Sequence, residues 1–179
     1  MNISRAIITT PLDDMLALSS DAGLCALEFT GPRARLPRLD ARLRRWFPPH
    51  DLVDEESPVI AKTRAWLRAY FDGASADPGG IPLDMRGAPF EVRVWDALRA
   101  IPPGVTTSYG AIAKAVGSPD AARAVGAANG ANPIAIIVPC HRVIGSDGTL
   151  TGFGGGLPMK RALLEHEARV CGRKLDLFG

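Results

Sequence analysis

Cys140 and His141 stand side by side just after an apolar run, residues 134–138. A cysteine in such a place is ordinarily a small buried hydrophobe. An adjacent imidazole widens the chemistry, because it can take the thiol proton and leave a nucleophilic thiolate. Such a base works best when an acid orients its ring. Glu167, with Glu165 two residues before it, supplies the candidates. In an extended segment neighbouring side chains point to opposite faces. Cys140 and His141 are therefore expected to communicate through a bridging water. Cys25, Cys171, His50 and His166 have no zinc-finger spacing with Cys140, so no metal site is expected. A cysteine hydrolase using Cys140, His141 and Glu167 stays open, although no local signature of one is present.

Two other segments are chemically suggestive. Residues 119–129 are nearly all small, with one long cation, Arg123. A helix that reads the major groove of DNA carries several long polar side chains. A helix of Ala and Gly instead approaches a surface closely, either another helix or a narrow minor groove. A lone arginine there can fill the gap left by an extruded base. The glycines at 152, 154, 155 and 156 lack the Lys-Ser/Thr of a P-loop. They read as a pliant wall that lets backbone N–H groups approach a ligand.

These residues must be held by elements legible in the pattern. Residues 3–9, 14–19 and 24–29 read as strands, joined by turns at Pro11 to Asp14 and at Asp21-Ala22-Gly23, and a small antiparallel sheet is expected. Leu36, Leu39, Leu43 and Trp46 have helical spacing, limited by flanking prolines. The five arginines between Arg33 and Arg44 are either a phosphate patch or, more commonly, a solvated helix face. Ser57-Pro58 opens a helix that Gly73 stops, with Ile60, Trp66, Leu67, Tyr70 and Phe71 inward. The Gly- and Pro-rich stretch 77–89 is a candidate domain boundary. Beyond it come a helix over 89–101 with Phe90, Val94, Trp95 and Leu98 inward, a short helix over 109–116 capped by Ser108, and a third over 119–129. The last two resemble a helix-turn-helix. Pro158 opens a final helix that ends near Gly172.

Composition bounds the rest. The chain has 179 residues, of which 46% are hydrophobic and 22% charged. This excludes a disordered, collagen-like or disulfide-scaffold chain, and suits one large domain or two small ones. No run approaches the ~18 apolar residues of a spanning helix. Residues 1–11 lack the pattern of a signal peptide, so a cytoplasmic protein is expected, with no membrane partner. A net charge of +2 says little about partners.

The stretch Asn132-Pro133 followed by Ile136-Ile137-Val138-Pro139-Cys140-His141-Arg142-Val143-Ile144 resembles the active-site signature of the O6-alkylguanine-DNA alkyltransferases. The match extends to Ser108-Tyr109-Gly110, to Ala121-Ala122-Arg123-Ala124-Val125-Gly126, to Gly155-Gly156-Leu157 and to Leu163-Leu164 with His166-Glu167. It is dense over about residues 88–170 and loose before them. The resemblance implies that Cys140 accepts an alkyl group, with His141 as its water-mediated base and Glu167 as orienter. Asn132 would tie the turn before the active-site strand. Tyr109 would donate to guanine N3. Arg123 would replace a flipped nucleotide, with Ala122, Ala124, Gly126 and Ala127 on the same minor-groove face. Val143 and Cys140 would offer carbonyls to the guanine amino group, and the Gly154 N–H would face O6. Phe153 stands where many relatives have Tyr, and Gly154 replaces a larger residue of several relatives, which implies a roomier alkyl pocket.

The expected architecture is α/β: an N-terminal ribonuclease-H-like sheet domain over 1–85 and a C-terminal helical domain over 86–179 with a winged helix-turn-helix. The implied function is direct repair of O6-alkylguanine, and of O4-alkylthymine, in double-stranded DNA. The protein would act once, as a monomer, without cofactor. The rival is a non-catalytic helix-turn-helix protein that recognises alkylated DNA.

Overall fold

Alternating apolar residues between turn-forming residues build the first sheet. In the computed structural model, which describes residues 1–31, 36–175 and 177, β1 (Asn2–Ile8), β2 (Met15–Ser20) and β3 (Gly23–Phe29) are antiparallel neighbours. A Cβ at Gly23 would lie 2.5 Å from the Pro82 carbonyl oxygen, so glycine is what allows Leu24 to pair with residues 82–84. A fourth strand, β4 (Asp51–Asp54), lies parallel to β1 and gives the order β3-β2-β1-β4. The sheet is therefore mixed, which corrects the expectation of an antiparallel one. β4 is short, mostly exposed and acidic at both ends, so it carries no alternating apolar signal.

Two helices complete this unit. α1 (Leu36–Trp46) buries Leu39 and Leu43 against Ile3, Leu18, Cys25, Ala26 and Phe47. Within the arginine run, Arg33 and Arg35 lie outside the described residues. Arg44 pairs with Asp40 at 3.0 Å, Arg42 donates to the Arg86 carbonyl, and the neighbouring Arg45 lies over the Trp46 ring. α2 (Pro58–Phe71) starts where the Ser57 hydroxyl accepts from Ile60 N at 3.2 Å. Its buried stripe is Ile60, Thr63, Trp66, Leu67 and Tyr70. Phe71, expected inward, is half-buried and meets the Tyr70 ring edge-on.

The second unit is helical. α3 (Pro89–Arg99) buries Val94, Trp95 and Leu98, while Phe90 is only half-buried beneath the Arg93 guanidinium. β5 (Thr107–Ser108) leads into α4 (Tyr109–Ala115), whose first turn is capped by Ser108 accepting from Ala111 N at 3.1 Å. α5 (Ala122–Gly130) follows as the second helix of a helix-turn-helix. It begins three residues later than expected. Ser118 to Ala121 close a turn through Ala121 N donating to Ser118 O, which holds Pro119 and Asp120 outside the helix. Trp95 Nε1 donates to Ala128 O at 2.8 Å and fixes α5 on α3. β6 (Val143–Ile144) pairs parallel with β5, and α6 (Leu157–Val170) is the last element among the described residues.

The chain divides as Met1–Gly87 with Pro133–Ala135, and Ala88–Asn132 with Ile136–Gly179. The expected contiguous split, 1–85 and 86–179, lacks this return. Residues 133–135 join the first unit because Leu27 N donates to Pro133 O and Ala135 N donates to Leu27 O. Among the described residues no helix is long and apolar enough to cross a membrane.

Candidate active site

The segment before Cys140 is not the active-site strand that the resemblance implies. Residues 135–137 are turns, and Ile136 takes φ 68°, a left-handed conformation that a β-branched side chain rarely adopts. Ile134 makes a single parallel bridge to Leu27, and burial of all five residues explains why 134–138 is so apolar. Asn132 supports the turn: its side-chain Nδ2 donates to Val138 O at 2.7 Å. Cys140–Arg142 then forms one turn of 3₁₀ helix, with Arg142 N donating to Pro139 O. Cys140 and His141 therefore sit on a tight turn, not on an extended segment.

Behind Cys140 lies a closed polar network. His141 Nε2 lies 2.7 Å from Glu167 Oε1. Arg142 donates to both oxygens of Glu167, from Nε to Oε2 at 2.9 Å and from Nη2 to Oε1 at 2.8 Å. Gly104 N adds a fourth bond to Oε2 at 3.1 Å, and Arg142 Nη1 donates to Ile101 O at 2.5 Å. His141, Arg142 and Glu167 are all buried. Burial pushes the Glu167 carboxyl up, but the charges and hydrogen bonds of His141 and Arg142 outweigh it and hold the group far below the carboxylate range. Burial holds the His141 imidazole below its ordinary value, against the pull of Glu167. The two parallel bonds from Arg142 favour the ionised carboxylate of Glu167 beside the imidazole. An ionised carboxylate only accepts, so Nε2 carries the imidazole proton and Nδ1 keeps its lone pair. Nδ1 is buried with no hydrogen-bond partner among the described residues. The arrangement is a base with a fixed tautomer, next to a thiol.

In front of Cys140 is a cavity of about 480 Å³. Tyr109, Ala122, Arg123, Gly126, Phe153 and Gly154, all expected at the site, line it together with Cys140. Arg123 is exposed on α5, as are Ala124 and Ala127, which do not line the cavity. Val143 does not line it either: it is fully buried, and its carbonyl accepts from Lys160 Nζ at 2.5 Å. The Cys140 carbonyl accepts from Asn129 Nδ2 at 3.4 Å.

Sequence reasoning missed four participants. Arg142 was read only as part of a motif. Asn129 and Thr151 line the cavity. Lys160 is fully buried, and burial lowers its ammonium to about 8 against the opposing charge of Cys140. It bridges Val143 O and, at 2.7 Å, Thr151 O. A lysine three residues into α6 gave no burial signal. Its role depends on carbonyls brought together only by the fold.

Comparison with known proteins fits this geometry. Residues 89–169 match the family model described as 6-O-methylguanine DNA methyltransferase, DNA binding domain. The methylated-DNA–protein-cysteine methyltransferase of Mycobacterium bovis is 59% identical over 112 residues, covering 63% of this chain and 67% of that one. That of Mycobacterium leprae is 54% identical over 123 residues, covering 69% and 74%. This chain belongs to the methylated-DNA–protein-cysteine methyltransferase family. The crystal structure of the Mycobacterium tuberculosis O6-methylguanine methyltransferase matches at 41% identity and a TM-score of 0.76, covering 93% of each chain. That of Mycobacterium tuberculosis OGT in complex with DNA matches at 40% identity and 0.78, covering 95% and 94%. The α/β fold, a small sheet unit followed by a helical unit, is thus the fold of the family.

Proposed function

We propose that this methyltransferase-family chain repairs DNA by direct reversal, moving an alkyl group from O6-alkylguanine to Cys140 in a single irreversible turnover. The observation that carries the reading is Cys140 on the wall of an open cavity, with the buried His141–Glu167–Arg142 network behind it. A binding module needs neither a nucleophile there nor a base of fixed tautomer.

The steps follow from the residues. His141 Nδ1 takes the Cys140 proton through a bridging water. The thiolate attacks the alkyl carbon in line. The S–C bond forms, the C–O6 bond breaks, and its electron pair leaves on the purine. Tyr109 donates a hydrogen bond to N3 and offsets the developing charge. The proton lost by the thiol ends on the guanine, so that the product is ordinary guanine and a thioether. Nothing in the site hydrolyses a thioether, so the protein acts once. O4-alkylthymine offers the same kind of leaving group, an exocyclic oxygen on the base ring, and is a second substrate.

The base must leave the duplex to reach Cys140, at an unstacking cost that is smaller for a poorly paired lesion. α5 presents Ala122, Ala124, Gly126 and Ala127 to the minor groove, and Arg123 occupies the vacated stack. One chain carries the whole set, which supports action as a monomer.

The test is intact mass after incubation with excess duplex containing one O6-methylguanine, beside Cys140→Ala. A single gain of about 14 Da, absent in the variant, supports transfer to Cys140. A folded protein that binds the duplex without gaining mass would favour non-catalytic recognition.

A further inference from the structure

Thr151 stands at the start of the glycine-rich segment and lines the cavity with Tyr109, and its hydroxyl donates to the Tyr109 hydroxyl oxygen at 2.9 Å. Among the described residues the Tyr109 hydroxyl has no acceptor for its own proton. One lone pair of the phenol is thus occupied from the loop side, while Tyr109 and Cys140 both line the cavity. The donor is itself anchored: the Thr151 carbonyl accepts from the buried Lys160 Nζ at 2.7 Å, and the same ammonium holds Val143 O next to the active-site turn. The neighbouring Gly152 has open space where a Cβ would be, so packing of that residue does not hold the segment. The Lys160 and Tyr109 bonds are what place Thr151.

We infer that Thr151 is a positioning residue for the leaving purine: its hydroxyl turns the Tyr109 O–H into the cavity and strengthens it as a donor. A hydroxyl that accepts one hydrogen bond donates a better one, because successive bonds polarise each other. The electrostatics agree in direction. Burial raises the Tyr109 phenol above its ordinary value, which weakens it as a donor, and the Thr151 bond opposes that rise. The inference rests on the reading of Tyr109 as donor to guanine N3.

The experiment is a single-turnover rate of methyl transfer by Thr151→Val, Thr151→Ser, Tyr109→Phe and the double variant Thr151→Val/Tyr109→Phe. Each is measured on duplexes carrying O6-methylguanine or its 3-deaza analogue, which has no N3 acceptor. Thr151→Val keeps shape and loses only the donor. It is expected to slow transfer about fivefold, the size of one neutral hydrogen bond, with lesion-duplex affinity unchanged. Thr151→Ser restores the rate. In the Tyr109→Phe background Thr151→Val adds nothing, and on the 3-deaza duplex its effect vanishes. Equal slowing by Thr151→Val in both backgrounds, or on both duplexes, would mean that Thr151 acts through the loop and overturns the inference. So would an unchanged Thr151→Val rate when Tyr109→Phe is slow. If Tyr109→Phe reacts normally on O6-methylguanine, the donor role of Tyr109 itself falls, and the inference with it.

Discussion

The guanidinium of Arg142 and the carboxylate of Glu167 meet edge to edge, in two parallel hydrogen bonds of 2.9 and 2.8 Å, with both side chains buried. The fork satisfies one lone pair on each oxygen, leaving Oε1 to fix His141 and Oε2 to take Gly104 N. Arg142 therefore positions the base without facing the cavity. Removing one partner of a buried ion pair leaves an uncompensated charge, which costs about 3–5 kcal/mol. Arg142→Ala is expected to lose that much stability in urea unfolding at neutral pH. Arg142→Lys keeps the charge but not the fork. It should lose less stability, yet still slow transfer, because Glu167 is no longer held in one plane. A Lys variant with the full wild-type rate would contradict the positioning role.

The same network sets a pH dependence. His141 is held below its ordinary value of 6.5 by burial, so in acid the unfolded chain protonates this residue before the native state does. Glu167 is held far below its ordinary 4.5 once His141 and Arg142 outweigh burial, so the unfolded chain protonates there too while the native carboxylate stays ionised. In both cases the unfolded state binds more protons, and stability falls as pH falls. The loss starts near pH 6.5 and steepens below 4.5. Thermal midpoints from pH 8 to 4 check this, and Glu167→Gln should flatten the lower part. The transfer rate should hold its neutral-pH plateau past pH 6.5, since the imidazole remains neutral there. A half-loss of rate at 6.5 would show an ordinary histidine.

These consequences divide into what the sequence made visible and what it did not. Strands β1 to β3, α1, α2 and the capping residues Ser57 and Ser108 were legible, because alternation, helical spacing and side-chain caps are local signals. β4 was not: it has four residues, and its pairing with β1 is a long-range event. The resemblance implied a strand before Cys140, yet residues 135–137 are buried turns, which select the same apolar residues as a buried strand. Cys140, His141 and Glu167 could be grouped by chemistry and by resemblance. Arg142, Lys160 and Thr151 could not, since each acts on a carbonyl, carboxylate or hydroxyl that only the fold brings near.

The role proposed for Arg123 separates DNA handling from chemistry. It is exposed on α5, lines the cavity and forms no ion pair among the described residues. If it holds the vacated stack open, Arg123→Ala should slow transfer from a duplex lesion but leave transfer from the free base O6-benzylguanine unchanged. The loss should shrink when the lesion is mispaired, because less unstacking is then needed. Single-turnover rates on the three substrates decide it. Equal slowing on the free base would place Arg123 in the chemistry instead.

In the proposed reading, Gly154 sets how much room the alkyl group has. It lines the cavity together with Phe153 and the small residues Ala122, Gly126, Gly130 and Gly152. Unlike Gly156 at φ 92°, Gly154 does not have positive φ, so a side chain there meets no backbone penalty. A Val side chain at 154 takes up room in the cavity that Gly154 lines. A pocket that loses room discriminates by on the order of tenfold or more per group excluded. Gly154→Val is therefore expected to slow reaction with O6-benzylguanine at least about tenfold. Reaction with O6-methylguanine, whose alkyl group is one carbon, should change much less. Competition between the two bases in one reaction, read by intact mass, measures the ratio directly. Equal slowing of both would mean that the substitution disturbs the Thr151 to Gly156 segment as a whole, and that room at 154 does not govern the choice of alkyl group.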